Sequence, residues 1–529
     1  MMNDTQVDHI GFAKQQVLDH LQSASYLTLA FYALIFVNLV SQLSPKVPTV
    51  EGSKIVGRAF AWEPDLFVRC RYFFNAPGII SSGYQKFKDV PYIIRRHDTD
   101  VTVLPIKYLE ELGSTAKNKL NSKIHGVGNA MPKWTGIAIM LETYLPNRAL
   151  TDKLTPQLNH YLSWAVEELD HSWDLEIPQC DDWTKVDVQP AIANLVARMS
   201  AKVFVGDAAC RDPNWVRIST ELTKDIILSA WCLRLFPTWS LYLVQYLVWP
   251  LWRVKSQIRE SKKIISRVIA DHHKARANGE EPEGTILDWM LDNGTAKETD
   301  PDAMTRIQCF LTSASIHTTS SNMASSLFEL CTHPEWIEVL REEVQQVIKE
   351  HGVPGAQTKE GQGIRQWTAK LEKLDSFVLE VQRLHPTVYI NPTRAVLQPL
   401  SLKDGTQIPA GASVSWAGYD YVNDPSVTPN PERFDPMRSY NRRYANGGAE
   451  SHKYTAGQPS KENLVFGFGS QACPGRYFAI NEIKLLLARV LLMYDFKWPE
   501  GKTNPSNLHI NEFCIVNPTA KVMMKRRQL

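Results

Sequence analysis

The sequence predicts a mainly α-helical protein with small β-sheets, preceded by an N-terminal transmembrane helix. Three observations predict it: an uncharged apolar run near the N-terminus, long stretches with apolar residues three and four positions apart, and short alternating segments around polar turns. The chain has 529 residues, of which 44% are hydrophobic, and a net charge of +2. This globular composition gives no reason to expect a nucleic-acid partner.

The uncharged run reads "YLTLAFYALIFVNLVSQL" and covers residues 26–43. Eighteen residues are close to the minimum for a helix that crosses a bilayer. Because the basic residues follow the run, the positive-inside rule places residues 45–529 in the cytosol and residues 1–25 in the lumen. We therefore expect a single-pass anchor at 26–44 in the endoplasmic reticulum membrane. The alternatives are a buried core helix and a cleaved signal peptide. Asn3 begins a glycosylation sequon on the predicted lumenal side.

The eight cysteines have neither the CxxC spacing of a zinc ribbon nor the density of a disulfide scaffold. We interpret seven of them as small hydrophobic residues of a chain in a reducing compartment. These seven are Cys70, Cys180, Cys210, Cys232, Cys309, Cys331 and Cys514. The eighth, Cys473, lies in a glycine-rich segment and needs a different explanation.

Two short strands around a polar turn are predicted between residues 92 and 104. Long helical stretches follow, and further short hairpins are predicted between residues 395 and 419. The predicted helices cover residues 151–169, 188–205, 258–278, 302–331, 334–350, 368–385 and 476–493.

The segment 226–252 is very apolar and contains four tryptophans and two tyrosines. A second membrane span is one interpretation, but Arg234, Pro237, Gln245 and Pro250 favour two short helices joined by a loop. Such an aromatic-rich surface either roofs an apolar pocket or dips into a membrane, and ordinary core packing is the alternative.

The segment "FGFGSQACPGR" at residues 466–476 surrounds Cys473 with three glycines and a proline. The glycines at 467, 469 and 475 allow positive φ and a close approach of the backbone to a ligand. Cys473 is also predicted just before a helix N-terminus, which lowers a thiol pKa and favours the thiolate. Cys473 is therefore a nucleophile or a metal ligand, unless the turn only starts a helix. A single thiolate does not hold zinc or an iron–sulfur cluster, but it is the axial ligand of haem iron in oxygen activation.

Four motifs in the expected order and spacing resemble those of the cytochrome P-450 family. They are Phe466-x-x-Gly469-x-x-x-Cys473-x-Gly475, Glu380-x-x-Arg383, "PERFDP" at residues 431–436 and "SASIHTTS" at residues 313–320. In that family they correspond to the haem-binding signature, the Glu-x-x-Arg pair, the motif that follows it and the oxygen-activation motif. The resemblance covers essentially everything after the anchor and implies one catalytic domain, residues 45–529, with the cytochrome P-450 fold.

This resemblance implies a haem cofactor. Cys473 would be its proximal thiolate, whose electron donation promotes O–O cleavage. Phe466 would shield the sulfur, and Gly469 and Gly475 would let backbone N–H groups point at it.

The resemblance also implies a charge-assisted network of Glu380, Arg383 and Arg433 that holds the haem-side core. Removal of one partner would strand a buried charge at a cost of roughly 3–5 kcal/mol. We therefore expect Glu380→Ala to yield protein without haem.

The haem propionates would have Arg394 as a partner, unless it is an ordinary surface arginine. The family usually has a second basic residue two positions before the cysteine, where this chain has Gln471. An amide donates a hydrogen bond but no charge. This contact is therefore weaker or is made by another group, for which Lys153 is a candidate.

The oxygen-activation motif differs from the usual family pattern in one residue type. Thr318 keeps the hydroxyl that guides protons to bound dioxygen, but His317 replaces the usual acid. A histidine titrates near neutrality and can relay protons, and the alternative is that His317 packs structurally while water supplies the protons. A similar "HTT" sequence occurs in fungal members that oxidise terpenoids and related secondary metabolites.

Together, these features predict a membrane-anchored haem-thiolate monooxygenase. It would insert one atom of O₂ into a C–H bond of a hydrophobic secondary metabolite, terpenoid or indole-diterpenoid first and polyketide second. Electrons would come from an NADPH-cytochrome P-450 reductase on the same membrane. The alternatives are desaturation, epoxidation or ring formation on the same scaffold, and a non-enzymatic haem-bound sensor or carrier.

Overall fold

The computed structural model describes residues 47–96, 98–236, 238–355, 363–445 and 447–528. The predicted lumenal segment 1–25, the transmembrane helix at 26–44 and the sequon at Asn3 lie outside the described residues. Within them, the expected architecture of many helices and a few small sheets is confirmed.

Helices account for most of the described chain. The longer ones are α1 (Asp65–Lys86), α2 (Ser122–Asn129), α3 (Leu158–Glu176), α4 (Val188–Phe204), α5 (Pro213–Arg234), α6 (Trp249–Ala277), α7 (Ile286–Asn293), α8 (Pro301–Thr332), α9 (Glu335–His351), α10 (Glu372–Leu384) and α11 (Arg476–Met493). Short helical turns cover Ile106–Tyr108, Leu109–Gly113, Pro132–Thr135, Ile139–Glu142, Leu145–Arg148, Ala149–Leu154, Asp207–Cys210, Thr238–Ser240, Leu241–Val244, Ala296–Thr299, Ile364–Ala369, Gly418–Val422, Arg438–Tyr444, Ser451–Tyr454 and Gly469–Gln471.

Three helices differ from the sequence prediction. The predicted helix 258–278 begins nine residues earlier, at Trp249. The predicted helix 151–169 begins instead at Leu158, after a π-helical turn, and runs on to Glu176. The predicted helix 368–385 is divided into Ile364–Ala369 and α10, because Leu371 takes a non-helical conformation as its side chain is buried in the core. Helix α10 ends at Leu384, two residues before the proline that was expected to stop it.

Helix α8 begins where its sequence specifies. The Asp300 side chain accepts hydrogen bonds from the N–H groups of Asp302 at 2.9 Å and Ala303 at 3.2 Å. Pro301 takes the first position, where its missing N–H costs nothing. Apolar and small polar residues alternate around the whole helix, which suits a helix that is buried on most sides.

The strands are short and form small sheets. They are β1 (Lys54–Ile55), β2 (Tyr92–Arg95), β3 (Asp100–Val103), β4 (Leu120–Asn121), β5 (Thr184–Val186), β6 (Arg394–Val396), β7 (Leu400–Ser401), β8 (Gln407–Ile408), β9 (Ser413–Ser415), β10 (Tyr494–Lys497), β11 (Leu508–Ile510), β12 (Phe513–Ile515) and β13 (Val522–Arg526). The largest sheet has the order β1-β2-β3-β9-β6-β4. The others are β10-β13-β5, β11-β12 and β7-β8.

Two predicted features of the sheets are confirmed. Strands β2 and β3 pair antiparallel, with Ile93 opposite Thr102, and β7 and β8 form a short hairpin. Strand β6 lies between β9 and β4, where Arg394 faces Val414 and Ala395 faces Asn121. This pairing brings Arg394 close to the chain that enters α2.

The main hydrophobic core is formed by buried side chains of α3, α4, α8, α9, α10 and α11. Helix α8 packs against α4, α5, α6 and α11. It therefore lies at the centre of the molecule, in contact with the helix that starts after Cys473.

The apolar segment 226–252 contains the ends of two long helices, α5 and α6, with short turns between them rather than two short helices. Many of its aromatic and aliphatic side chains are exposed: Trp239 and Leu243 to 75% and Leu247 to 82%. Ordinary core packing is therefore wrong for these residues, but Leu233, Leu241, Val248 and Leu251 form a small buried cluster, as that alternative expects. No single helix in the described part of the chain is long and apolar enough to cross a membrane. Helix α5 and Thr238–Val244 pass that test only as a pair bent by 118°.

Candidate active site

The loop before α11 depends on two glycines. Gly467 and Gly469 have φ of +76° and +68°, in the left-handed region that favours glycine. A Cβ atom at Gly469 would overlap the carbonyl oxygen of Gly113, so this loop and the helical turn Leu109–Gly113 touch through their backbones. Gly475 differs from the expectation: its φ is −87°, and a Cβ atom there would lie 4.0 Å from Leu150 Cδ1, an ordinary contact. Positive φ is therefore required at positions 467 and 469 but not at 475.

The Cys473 thiol lies at the start of α11. The N–H groups of Gly475 and Arg476 hydrogen-bond to it and, with the Arg476 charge, lower its pKa. Burial has the larger effect, and the pKa of Cys473 is raised overall, so the predicted lowering is wrong for the protein alone. A bound cation would reverse this balance by stabilising the thiolate directly. The electrostatics therefore suit a metal ligand better than a free nucleophile.

The surroundings of Cys473 form a recess. The residue is exposed, although burial dominates its pKa. A side chain that faces a protein-lined cavity, rather than open solvent, is both accessible and surrounded by enough protein to shift its pKa. Phe466 packs against the main core, and its carbonyl accepts a hydrogen bond from the Cys473 N–H at 2.8 Å. The loop is thus closed on itself around the cysteine.

Arg394 is buried, with 1% of its surface exposed, and is not an ordinary surface arginine. One guanidinium nitrogen, Nη2, donates to the Phe468 carbonyl at 2.6 Å, in the loop that carries Cys473. The other two, Nε and Nη1, have no hydrogen-bond partner among the described residues. Burial lowers the pKa of Arg394 to about 10. Two unpaired N–H donors on a buried cation form a site for an anionic acceptor such as a carboxylate.

Gln471 takes a structural role in place of a basic residue. Its Oε1 accepts from the N–H of Ser122 at 2.8 Å and from the Ser122 hydroxyl at 3.1 Å. Its Nε2 donates to the Leu120 carbonyl at 2.7 Å. The amide therefore ties the loop to β4 and the start of α2. Lys153 is half-buried in the turn Ala149–Leu154, and its role toward a propionate stays a prediction.

Glu380 and Arg383 form a buried bidentate pair on α10. The Arg383 Nε and Nη2 atoms lie 2.9 and 2.7 Å from the two Glu380 oxygens, and Nη1 lies 2.8 Å from the Pro431 carbonyl oxygen. Glu380 also accepts from the Asp435 N–H at 3.0 Å. The pair thus fixes the chain that runs through residues 431–435, as bidentate geometry allows.

The prediction that Arg433 is the third member of this network is wrong. The Arg433 side chain is exposed, and only its carbonyl takes part, accepting from Arg383 at 3.4 Å and from Arg438 at 3.1 Å. Arg438 instead places its Nε 3.4 Å from Glu380. The turn at residues 430–433 directs side chain 433 outward, whereas Arg438 starts a helical turn that faces α10. Sequence reasoning missed Arg438, although it follows the "PERFDP" motif by two residues.

Thr318 lies on a turn of α8 that carries two exposed side chains. Ala314 and Thr318, one turn apart, are exposed in a helix whose neighbouring residues are mostly buried, so a recess runs beside them. The Thr318 hydroxyl donates to the Ala314 carbonyl at 2.9 Å. The His317 side chain is directed toward α5, where its Nε2 atom lies 3.0 Å from the Thr220 carbonyl oxygen. Burial and the Lys224 charge lower the pKa of His317 to about 4.

Comparison with known proteins identifies the family. The family model described as "Cytochrome P450" matches residues 113–526, which is well over half of the chain and includes all four motifs. The chain belongs to the cytochrome P450 family.

Related proteins cover this P450 along nearly its whole length. It is 39% identical over 521 residues to the cytochrome P450 monooxygenase ATR4 of Stachybotrys chlorohalonatus, covering 98% of this chain and 99% of that one. It is 31% identical over 497 residues to the ent-kaurene oxidase P450-4 of Gibberella fujikuroi, covering 93% and 94%. The solved structure of retinoic acid bound cyanobacterial CYP120A1 has a TM-score of 0.64 at 19% identity, over 91% of this chain and 100% of that chain, which shows the shared fold. This P450 is a monooxygenase.

The cofactor of P450 enzymes is a haem bound through a cysteine thiolate, and two observations fit it to this chain. Cys473 combines an accessible sulfur with two N–H groups that stabilise negative charge. Arg394 offers two unpaired donors that match a propionate carboxylate. These two residues would hold the haem, and Glu380 with Arg383 and Arg438 would hold the chain that leads to the loop.

Proposed function

We propose that this P450 monooxygenase oxidises a hydrophobic secondary metabolite, a terpenoid or indole-diterpenoid first and a polyketide second. The observation that carries the substrate class is the similarity over 93% of the chain to an ent-kaurene oxidase, which acts on a terpenoid hydrocarbon. The exposed Ala314 methyl group beside Thr318 supports it, because it adds an apolar surface to the recess. The reaction would add one oxygen atom from O₂ to a C–H bond.

The residues near Cys473 would prepare the reaction before the substrate arrives. Haem, when bound, supplies the activation of O₂. The N–H groups of Gly475 and Arg476 would hold negative charge on Sγ of Cys473. Arg394 would orient the cofactor by its carboxylate, and its burial would make that contact strong because little water competes for it.

Thr318 would hold and move a proton at the recess beside α8. Its Oγ1–H is directed at the Ala314 carbonyl in this structure. Rotation about the Cα–Cβ bond would turn the hydroxyl into the recess, where it can pass its proton on and regain one from water.

Electrons would come from an NADPH-cytochrome P-450 reductase at the endoplasmic reticulum membrane, with the catalytic domain in the cytosol. Two observations support membrane association. The uncharged run at 26–43 has the length of a span, and its flanking charges favour a cytosolic domain. The segment between α5 and α6 presents Trp239, Leu243 and Leu247 to the exterior, a pattern typical of surfaces that contact lipid.

The test is a reconstituted assay. The full chain, expressed in microsomal membranes with an NADPH-cytochrome P-450 reductase, should first show the red-shifted Soret band of a thiolate-bound haem after reduction under CO. Incubation with ent-kaurene and other polycyclic terpenoids, NADPH and O₂ should then give products heavier by one oxygen.

The product mass also separates desaturation and ring formation from oxygen insertion. Desaturation or ring formation would remove two hydrogens instead of adding an oxygen, whereas epoxidation would give the same mass as hydroxylation and is recognised by the loss of a double bond. Cys473→Ser is the matched control and should abolish both the band and the product. Turnover of polyketides with no turnover of any terpenoid would overturn the first substrate class.

A further inference from the structure

His317 has its ring proton committed to another helix. The Nε2 atom lies 3.0 Å from the Thr220 carbonyl oxygen. A carbonyl oxygen carries no proton, so Nε2 must be the donor. With a pKa lowered to about 4 by burial and by the Lys224 charge, the ring is neutral at pH 7 and carries no second proton. The only proton on His317 therefore faces α5, not the Thr318 hydroxyl.

A second hydrogen bond joins the same two helices in the opposite sense. The Thr223 hydroxyl on α5 donates to the Ser313 carbonyl on α8 at 3.3 Å. Ser313 and His317 are one turn apart on α8, and Thr220 and Thr223 are one turn apart on α5. Each helix thus supplies one side-chain donor to the backbone of the other.

These two bonds flank the exposed part of α8. Ala314, which borders the recess with Thr318, lies between the two α8 residues that are tied to α5. Because both bonds join α5 to this turn, a change in the spacing of α5 and α8 would displace the turn of α8 that borders the recess.

We propose that His317 is a positioning residue rather than a proton relay. Together with Thr223 it holds α5 against the turn of α8 that borders the recess, and so slows the release of a bound molecule. The inference rests on the proposed function only in taking this recess as the substrate site.

Three variants separate the two roles. His317→Gln keeps an N–H donor that can reach the Thr220 carbonyl but cannot titrate. His317→Leu keeps the bulk and removes the donor. Thr223→Val removes the hydroxyl that makes the second hydrogen bond without changing His317, and should reproduce the effect of His317→Leu; His317→Gln is the matched control.

Release is measured with 4-phenylimidazole, an azole that ligates haem iron in such sites, by stopped-flow displacement. Hydrogen exchange of the amides of residues 213–234 reports on α5 directly and needs no turnover. A hydrogen bond worth about 0.5–1.5 kcal/mol corresponds to a change of about two- to twelvefold. We expect faster azole release and faster α5 exchange, in this range, for His317→Leu and Thr223→Val, with wild-type values for His317→Gln.

The relay predicts a different result. His317→Gln and His317→Leu would then both increase hydrogen peroxide release per NADPH consumed, with unchanged azole release and α5 exchange. That outcome, or wild-type exchange in both His317→Leu and Thr223→Val, would overturn the proposal. If His317→Leu does not load haem, Thr223→Val tests the contact between the helices, and peroxide release from His317→Gln tests the relay. Absence of the thiolate Soret band in the wild type would contradict the proposed function instead. The comparison of α5 hydrogen exchange would still show whether His317 and Thr223 hold α5 against α8.

Discussion

Arg438, not Arg433, should be the arginine that completes the network around Glu380. The Arg438 Nη1 atom donates to the Pro429 carbonyl at 2.8 Å, and Nη2 donates to the Arg433 carbonyl at 3.1 Å. Its Nε lies 3.4 Å from Glu380. A single guanidinium thus joins α10 to the turn at residues 429–433. Substitution of Arg433 leaves in place its backbone carbonyl, which is the group that accepts hydrogen bonds in this network.

The magnitudes follow from these contacts. Arg438→Met keeps the aliphatic stem but removes three exposed charge-assisted hydrogen bonds, to the carbonyls of Pro429, Asn430 and Arg433, and one ion pair to the buried Glu380. We expect a loss of about 2–3 kcal/mol in the free energy of unfolding. Arg433→Met changes an exposed side chain and should stay within about 0.5 kcal/mol of wild type.

The assay compares the two variants with wild type under identical conditions. The haem-to-protein ratio after purification and the urea midpoint followed by haem absorbance are measured for each. Arg438→Met should lower both, and Arg433→Met should change neither. An equal loss in both variants, or a loss in Arg433→Met alone, would refute the assignment and restore the arginine that the motif predicts.

Three further predictions address the remaining contacts. Glu380→Ala should leave the buried guanidinium of Arg383 unpaired, cost roughly 3–5 kcal/mol and yield protein without haem, and a normal haem-to-protein ratio would contradict this role. Gly469→Ala should lower the free energy of unfolding by about 2 kcal/mol or more, because residue 469 has a positive φ and a Cβ atom there would meet a backbone carbonyl. Gly475→Ala should be tolerated. Urea midpoints measure both effects, and equal losses in the two variants would contradict the assignment. The pKa of His317 is lowered to about 4 in the folded protein, from a value near 6.5 in the unfolded chain. As the pH falls, the unfolded chain therefore takes up a proton first. The stabilisation that His317 contributes to the folded state falls by about 3 kcal/mol as the pH drops from 6.5 to 4. Urea midpoints at pH 7 and 5 should show a smaller decrease for His317→Gln than for wild type, and an identical decrease would show that other groups cause it.

Much of the fold follows from local patterns. The predicted bounds of α8 and α11 agree with the structure within one residue, and Pro386 marks the end of α10 within two residues. Helix division at Leu371 and the π-helical turn at Ala149–Leu154 were not predictable, because tertiary packing overrides a continuous helical pattern. A break within the segment 226–252 was predicted, but the two helices on either side of it are long rather than short, and the exposure of its aromatic residues depends on which helices lie beside it.

The candidate site divides in the same way. The identity of the cysteine, its place before a helix and the need for glycine at 469 are properties of eleven consecutive residues, and they could be derived from that stretch. Arg394 could be singled out by its position, but its burial and its two unpaired nitrogens come from the pairing of β6 with β9 and β4.

The sequence by itself determined the chemistry of this protein: a single thiolate on a glycine-bearing loop, with the Glu380–Arg383 pair and the Thr318 hydroxyl in the expected order. Only the tertiary structure decided which arginine meets Glu380, where the Gln471 amide is used and where the proton of His317 points. The physical reason is that these three choices are made by partners about 60, 350 and 100 positions away in the chain. At such separations, residue type and spacing carry no information on distance or direction.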